Sequence, residues 1–480
     1  MSDVILLIGL GFGDEGKGSI TDHVARTTSA SLVVRFNGGA QAAHTVVLDD
    51  GRHHTFAQFG SGTLAGAKTH LSRHMLVNPS NLVNEAKALE GFGLNPTDLI
   101  TIDREALVTN FFQVVANQAR ELQRGDGRHG SCGLGIGETV SDAIQQPTQA
   151  LRVGDLEDRH LMRKKLMLSR DRKRAEFGRD PLGGMSSWDP FSDDRVDYLV
   201  DLYEDFAKRY RIVDRQYLEQ QLKGNGTIIF EGAQGVLLDQ DYGFHPYTTW
   251  SDTTFGNARD LLQGFNGPVR KIGVLRGYMT RHGAGPFPTE DTDCGILTDQ
   301  HNKWGEFQEG FRVGHFDAVL AHYALEVVGG VDELAITNLD KLGPKPKICT
   351  AYTSQERTIH RLVPKKLDAH MLEHGSELTR SLPASKCRWT SALAALVIPL
   401  RNSVSSSELI WRTQVSQVPG MTDIEVFKPV YETLPDRASI VERIVQELGT
   451  PVTICSVGPR AKDKWPTRHL RDSPWNQWNS

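Results

Sequence analysis

The sequence predicts an α/β fold: a large, mostly parallel central sheet flanked by helices, with a P-loop-like phosphate site and insertions. Three observations predict it. Short β-rich runs recur at wide intervals and are mostly apolar throughout rather than alternating, the pattern of strands covered on both faces. Segments with apolar residues at three- and four-residue spacing lie between them. A glycine-rich loop joins the first run to one such segment, the strand-loop-helix order that α/β phosphate sites use.

The elements follow in order. Residues 4–10, VILLIGL, read as the first strand; no basic segment precedes them, which distinguishes the stretch from a signal peptide. The loop Gly11-Phe12-Gly13-Asp14-Glu15-Gly16-Lys17-Gly18 comes next. Further strands are expected at SLVVRFN (31–37), TIIFEGA (227–233), KIGVLRGYM (271–279), ELAITNLD (333–340) and PVTICSVG (451–458). Residues 197–222 carry helical spacing and precede one of them. The basic run 161–184 reads as a solvated helix. Residues 366–415 read as an insertion without obvious chemistry, and the Trp-rich tail 465–480 as packing or partner contact. A single domain over 1–480 is expected.

Composition bounds the function. The chain has 480 residues, 39% hydrophobic and 24% charged, enough to bury a sizeable core. Its apolar runs are far shorter than the roughly 20 residues of a membrane span, so no membrane partner is expected. Five scattered cysteines, 132, 294, 349, 387 and 455, form no CxxC and leave an odd count, against a disulfide framework or a zinc site. A cytoplasmic setting follows. A net charge of −5 argues against general nucleic-acid binding.

The loop has the G-x-x-x-x-G-K spacing of a P-loop, but Gly18 stands where a magnesium-binding Ser or Thr belongs. Glycine N–H groups, the helix N-terminus and Lys17 can hold a phosphate; a tight turn is the bland alternative. An acid inside such a loop is repelled by an anion unless a metal lies between them or the acid moves a proton, and Asp14 suits both tasks.

GFGDEGKGSITD resembles the opening motif of the adenylosuccinate synthetase family. NGGAQAAHTVV (37–47), LRVGDL (151–156), FEGAQGVLLDQDYGFHPYTTWSDTT (230–254), TRHGAGPFPTED (280–291), TNLDKL (337–342) and SVGP (456–459) match further motifs in the family's order. The resemblance implies a GTP-dependent, magnesium-requiring homodimeric ligase that phosphorylates the 6-oxygen of IMP and displaces the phosphate with the amine of aspartate. It implies Asp14 as proton acceptor and magnesium ligand, Lys17 on the transferred phosphoryl group, and His44 on the GTP phosphates. The Ala43 carbonyl completes the metal site and Gln234 contacts the purine. Gly13, Glu15, Gly16, Lys17 and Gly18 fall in the GTP phosphate loop. Asp340 in TNLD accepts from guanine N1 and N2, beside Asn338, Ser456 and Gly458; Gln41, Ser131, Cys132 and Thr249 fall at the nucleotide substrate.

The sequence also departs from the family. The loop with Thr-Thr-Gly and four arginines that grips aspartate corresponds to GEFQEGFRVGHFDAVL (305–320), with Arg312 alone as a weak amine-donor contact. Asn338 replaces a lysine, Gln41 an asparagine and Cys132 a threonine. The arginine that crosses the family's dimer interface has no counterpart in SDAIQQPTQALR (141–152), and the basic run could compensate. Three readings follow: a ligase on an IMP-like nucleotide, a paralogue with a modified purine or another amine donor, and a non-catalytic GTP binder. The last has no use for Asp14 as proton acceptor.

Overall fold

The computed structural model describes residues 1–125, 129–183, 189–294, 296, 310–354, 358–364, 398–399, 411–412 and 427–472. A ten-stranded sheet organises it. In chain order its strands are β1 (Asp3–Gly9), β2 (Leu32–Arg35), β3 (Lys68–Leu71), β4 (Ile100–Asp103), β5 (Arg211–Val213), β6 (Thr227–Gly235), β7 (Val269–Arg276), β8 (Glu333–Thr337), β9 (Val452–Ser456) and β10 (Lys464–Pro466). Across the sheet they run β10-β9-β8-β7-β1-β6-β2-β3-β4-β5. All neighbours are parallel except β9 and β10.

The central strand shows why its sequence does not alternate. Val4, Leu6 and Ile8 pack into a core with Phe36 and Phe230, while Ile5 and Leu7 pack on the opposite face against Ile20 and Val24 of helix α1 (Lys17–Thr28). Each full burial of such a side chain is worth roughly 1.5–3 kcal/mol, so both faces of β1 select apolar residues. All six strands expected from the sequence lie in this sheet. The run 271–279 ends at Arg276, however, and Met279–His282 instead pairs antiparallel with Phe311–Gly314 in a separate hairpin.

Two expectations are corrected. Residues 197–222 are not one helix but two, because Arg211–Val213 leaves the helical path to pair with β4 as the sheet's edge strand β5. The basic run does form a helix, but not a merely solvated one. On one flank lie α2 (Phe111–Arg124) and α3 (Ile136–Gln145); the basic helix itself is α4 (Arg159–Phe177) and packs beside α5 (Asp193–Arg209). Lys173 of α4 is buried and reaches Glu138 at 2.7 Å and Asp142 at 2.9 Å on α3, and Arg120 of α2 meets Glu138 at 2.6 Å. Burial alone would depress Lys173, but the two carboxylates outweigh it and hold its pKa above the ordinary value. Arg170 is likewise taken by Asp171 and Asp193. These cations hold helices together rather than replacing a missing phosphate-binding arginine.

The expected insertion lies outside the described residues apart from the main chain of the short pair 398–399 and 411–412, as does the tail beyond 472. No helix among the described residues is long and apolar enough to cross a membrane.

Candidate functional site

Parallel strands all present their carboxyl ends to one edge of a sheet, where loops can converge. Here the loops after β9, β8, β7, β1, β6 and β2 follow one another along that edge. They carry, in that order, Ser456 and Gly458; Asn338 and Asp340; the stretch 281–289, which the resemblance implies as a wall of the site; the phosphate loop; Gln234; and the segment leading to His44. Neighbouring strands lie about 4.8 Å apart, so the axes of β8 and β1, with β7 between them, are separated by roughly 10 Å, a span suited to a nucleotide lying across the strands.

The phosphate loop resolves the puzzle of its acids by pointing them in opposite directions. Glu15 turns inward, its residue 3% exposed. Its Oε1 accepts from the N–H groups of Gly11 (2.9 Å) and Gly13 (2.7 Å), and its Oε2 accepts from Lys17 Nζ at 2.7 Å. Lys17 Nζ also donates to the Gly13 carbonyl at 2.7 Å. Glu15 is thus an internal anion that pre-shapes the loop, and any contact of residue 15 with GTP runs through its main chain. Asp14 faces outward, with 29% of its side chain exposed, and its Oδ2 lies 3.3 Å from His282 Nε2. Arg276 donates to the Asp14 carbonyl and Thr337 Oγ1 to that of Glu15, tying the loop to β7 and β8.

Gly16 starts α1 in the left-handed region, φ 87°. The next glycine explains the absent hydroxyl. A Cβ on Gly18 would stand 2.6 Å from His44 Cβ and 2.9 Å from its main chain, so the helix can carry no Ser or Thr there while the His44 strand packs against it.

His44 opens the strand His44–Val47, paired with His53–Phe56. Its Nδ1 lies 2.7 Å from Glu231 Oε1. A carboxylate can only accept, so the proton sits on Nδ1 and Nε2 is left for a ligand. Glu231 is fully buried on β6 and also accepts from the Ser61 N–H at 2.9 Å and from Ser61 Oγ; Arg35 Nε stands at 4.0 Å. Burial pushes Glu231 up, but His44, Arg35 and these hydrogen bonds outweigh it and hold its pKa at about 2. Burial is the largest effect on His44 and lowers its pKa below 6.5, with Glu231 opposing.

Gln234 ends β6 with φ 57°, an uncommon conformation for a non-glycine residue and one that functional sites favour. Its Oε1 is buried and unpartnered, as are both amide atoms of Gln41. Asn37 is fixed by a reciprocal pair of hydrogen bonds with Ala233, 3.0 and 2.8 Å. Two unsatisfied amides beside one turn are costly without a ligand to complete them. Ser131 bonds Asn117 at 3.0 Å within the loop that starts α3, and burial raises the Cys132 thiol. The Thr249 N–H donates to the Leu238 carbonyl at 2.8 Å. Asn338 is left-handed (φ 54°), and burial lifts Asp340 above its ordinary pKa against the pull of Lys341.

The adenylosuccinate synthetase family model matches residues 6–396. The chain belongs to the adenylosuccinate synthetase family. It is 36% identical to adenylosuccinate synthetase from Synechococcus elongatus over 360 residues, 72% of this chain and 77% of that protein. With the synthetase of a Marinomonas species it shares 31% identity over 488 residues, covering 99% of this chain and all of the other. The fold is that of the fully ligated synthetase from Plasmodium falciparum (TM-score 0.70, 21% identity, 96% and 99% of the two chains). It is also that of the succinoaminodeoxyadenylate synthetase of cyanophage S-2L, solved with dGMP and dATP (TM-score 0.58, 16% identity, 100% and 99% of the two chains). Family members are GTP-dependent ligases that form a C–N bond from small nucleotide and amino-acid substrates, and this chain is a ligase of that family.

In this synthetase-family chain three side chains at the site fall inside matched motifs without having been singled out individually. Glu231 sits inside the motif EGAQG, but its partner His44 is 187 residues away. His282 meets Asp14 from the facing wall. Its neighbour Arg281 is fully buried, donates to the carbonyls of Ala284, Pro286 and Tyr247, and stacks 4.3 Å above the Phe12 ring. Arg312 Nη1 is engaged by Glu290 at 2.8 Å and its Nη2 by the Gly285 carbonyl at 2.8 Å.

Proposed function

We propose that this protein uses GTP to phosphorylate the 6-oxygen of an IMP-like purine nucleotide and lets an amino-acid amine displace that phosphate. The reference reaction converts IMP, L-aspartate and GTP to adenylosuccinate, GDP and phosphate. The observation that carries the reading is the row of Gln234, His44, Asp14 and Lys17 along one sheet edge, with Asp340 after β8, two strands from β1 on the same edge. In it Asp14 accepts the purine N1 proton, so that the 6-oxygen becomes the nucleophile. Lys17 holds the transferred phosphoryl group and leans on Glu15 until it does. His44, kept in one tautomer by Glu231, addresses the GTP phosphates, and Gln234 and Gln41 turn their unsatisfied amides to the nucleotide.

Magnesium suits this donor set only in part. Among the described residues no group of three or more His, Cys, Asp or Glu could hold a metal. The Asp14 carboxylate and the Ala43 carbonyl would be the protein's two oxygen ligands, and phosphate and water the remainder. Bound there, the ion would neutralise charge on the phosphates. A cytoplasmic homodimer with no nucleic-acid or membrane partner, built as one domain over 1–480 with an insertion near 366–415, belongs to the same proposal.

One observation favours a second reading for the amine donor. Arg312, the one arginine in 305–320, is already paired with Glu290 at 2.8 Å, so among the described residues of this stretch no guanidinium stands clear of a carboxylate. A monocarboxylic amino acid suits that environment better than aspartate.

The test is purified protein with magnesium and GTP, offered IMP, GMP or dGMP with a panel of amino acids, reading GDP release and product mass. Release of GDP only with a nucleotide and an amine supports the proposal; no release with any combination overturns it. If IMP with aspartate is the best pair, the second reading fails. Asp14→Asn should abolish turnover while GTP binding persists.

A further inference from the structure

Lys464 is a buried cation that the reaction above leaves unused. It opens β10 directly opposite Ser456 on β9, 6% exposed. Its Nζ donates to the carbonyls of Gly458 and Arg460, each at 3.0 Å, and the Gly458 carbonyl also accepts from Ser456 Oγ at 2.9 Å. The SVGP turn is therefore folded around this ammonium. Those carbonyls take two of its three N–H groups.

Lys464 forms no ion pair among the described residues, although Asp463, Asp22 and Asp340 act on it electrostatically. Burial lowers its pKa to about 8 against their pull, so it stays largely charged at neutral pH. Asp340 follows β8, the hydrogen-bonded neighbour of β9. Lys464 and Asp340, of opposite charge, thus flank β9 from β10 and β8, partly desolvated and without closing on each other, an arrangement that a ligand with a matching donor and acceptor edge would satisfy.

The Watson–Crick edge of a 6-oxo-2-aminopurine offers that match. Its 6-oxygen needs a donor, and its N1–H and 2-amino group need an acceptor. Adenine reverses the first two, setting an amino group against the ammonium and a bare N1 against the carboxylate.

We propose that Lys464 determines base specificity in the energy-donor site, its ammonium donating to the 6-oxygen of guanine while Asp340 accepts from N1 and the 2-amino group. This deepens the reading of that pocket as the GTP site and rests on it. Asn338 stands where the resembling family has a lysine along the base, and Lys464 returns a cation to the pocket from a different strand.

The experiment measures binding of GTP, ITP and ATP to the wild-type chain and to Lys464→Met by competition with a fluorescent nucleotide, alongside KM for each. Lys464→Met should weaken GTP and ITP alike by about 10- to 100-fold, the loss expected for a hydrogen bond from a charged donor. ATP should change less than about threefold, and the KM of the nucleotide substrate should hold. Where Met at this buried position prevents folding, Lys464→Gln keeps a neutral donor and should retain part of the preference. Equal weakening of GTP and ATP would reduce Lys464 to a support for the turn, and unchanged GTP binding would remove it altogether; either outcome overturns the proposal. A wild-type chain without preference for GTP over ATP overturns instead the reading of the pocket on which it rests.

Discussion

Replacing Glu231 with Gln isolates what holds His44. The amide is isosteric and keeps one acceptor for the Nδ1–H, but it removes the charge facing His44 at 2.7 Å and Arg35 at 4.0 Å and sets an NH2 against the Ser61 N–H. Glu231 sits at about 2 against an ordinary 4.5, and a shift of about 2.5 units at a fully buried group corresponds to about 3 kcal/mol favouring the ionised form. That stabilisation is present above pH 4.5 and is lost as pH falls through 2, because the folded-state pKa is the lower one. Glu231→Gln should therefore cost up to about 3 kcal/mol at pH 7 and lower the melting temperature by several degrees.

The catalytic effect should exceed the structural one. With Nδ1 no longer compelled to donate, the imidazole can rotate or change tautomer, and misplacement on the ångström scale costs about a hundredfold in rate. Steady-state kinetics should show kcat down by about 10²-fold with KM for GTP within about threefold. A folded Glu231→Gln protein with wild-type kcat would refute the claim that this carboxylate positions His44 for chemistry.

Three further outcomes are expected. Gly18→Ser, which restores the P-loop hydroxyl in name, should lose activity and melt lower, because its Cβ would lie 2.6 Å from His44 Cβ; a functional Gly18→Ser would show that the His44 strand can move aside. Lys173→Met should destabilise by about 3–5 kcal/mol, the cost of removing one partner from a buried ionic cluster, read by thermal melting, since it strips Glu138 and Asp142 of their shared cation. Asp317 is buried at the start of the helix Ala318–Val328, accepts from the Leu320 N–H at 3.0 Å and from Tyr352 at 2.6 Å, and burial outweighs both to raise its pKa from 3.8 to about 6. The folded state thus holds this proton more tightly, so about 3 kcal/mol of stability present below pH 3.8 should be lost as pH rises through 6, and Asp317→Asn should flatten that slope in denaturation curves between pH 4 and 7.

The sheet's centre was legible because strands covered on both faces must be apolar at every position, as β1 is. The four strands that went unread, β3, β4, β5 and β10, are the outermost ones. They are three or four residues long, and three of them bury polar groups: Lys464 lies in β10, and His70 of β3 bonds Thr101 of β4 at 3.0 Å, a pair that no hydrophobic pattern announces. The motif residues were readable because loop chemistry is local: a glycine turn, a lysine and an acid identify a phosphate site within eight positions. Glu231 was not, since its role exists only once β2, β6 and the His44 strand meet. Glu15 was visible as a charge and unreadable as a support, because inward and outward carboxylates differ by side-chain direction rather than by residue type.

The two ends of the site are mechanically one. Arg312, whose pairing with Glu290 makes the amine end unlike a row of free arginines, sits on Phe311–Gly314, directly opposite Arg281 in the hairpin register. The same hairpin's other strand sends Arg281 over the Phe12 ring and His282 against Asp14, both in the glycine-rich loop. Phe287, from the wall between the two strands, contacts both the Phe12 ring and the Arg312 guanidinium. A change at Arg312 is therefore transmitted to the glycine loop through Arg281, Phe287 and Phe12, packed and buried groups with little freedom to absorb it. A chain that changed its amine donor would have to retune this hairpin as well. Pairing Arg312 with a neighbouring glutamate, rather than deleting it, retains the hairpin's cation over Phe287 while compensating its charge.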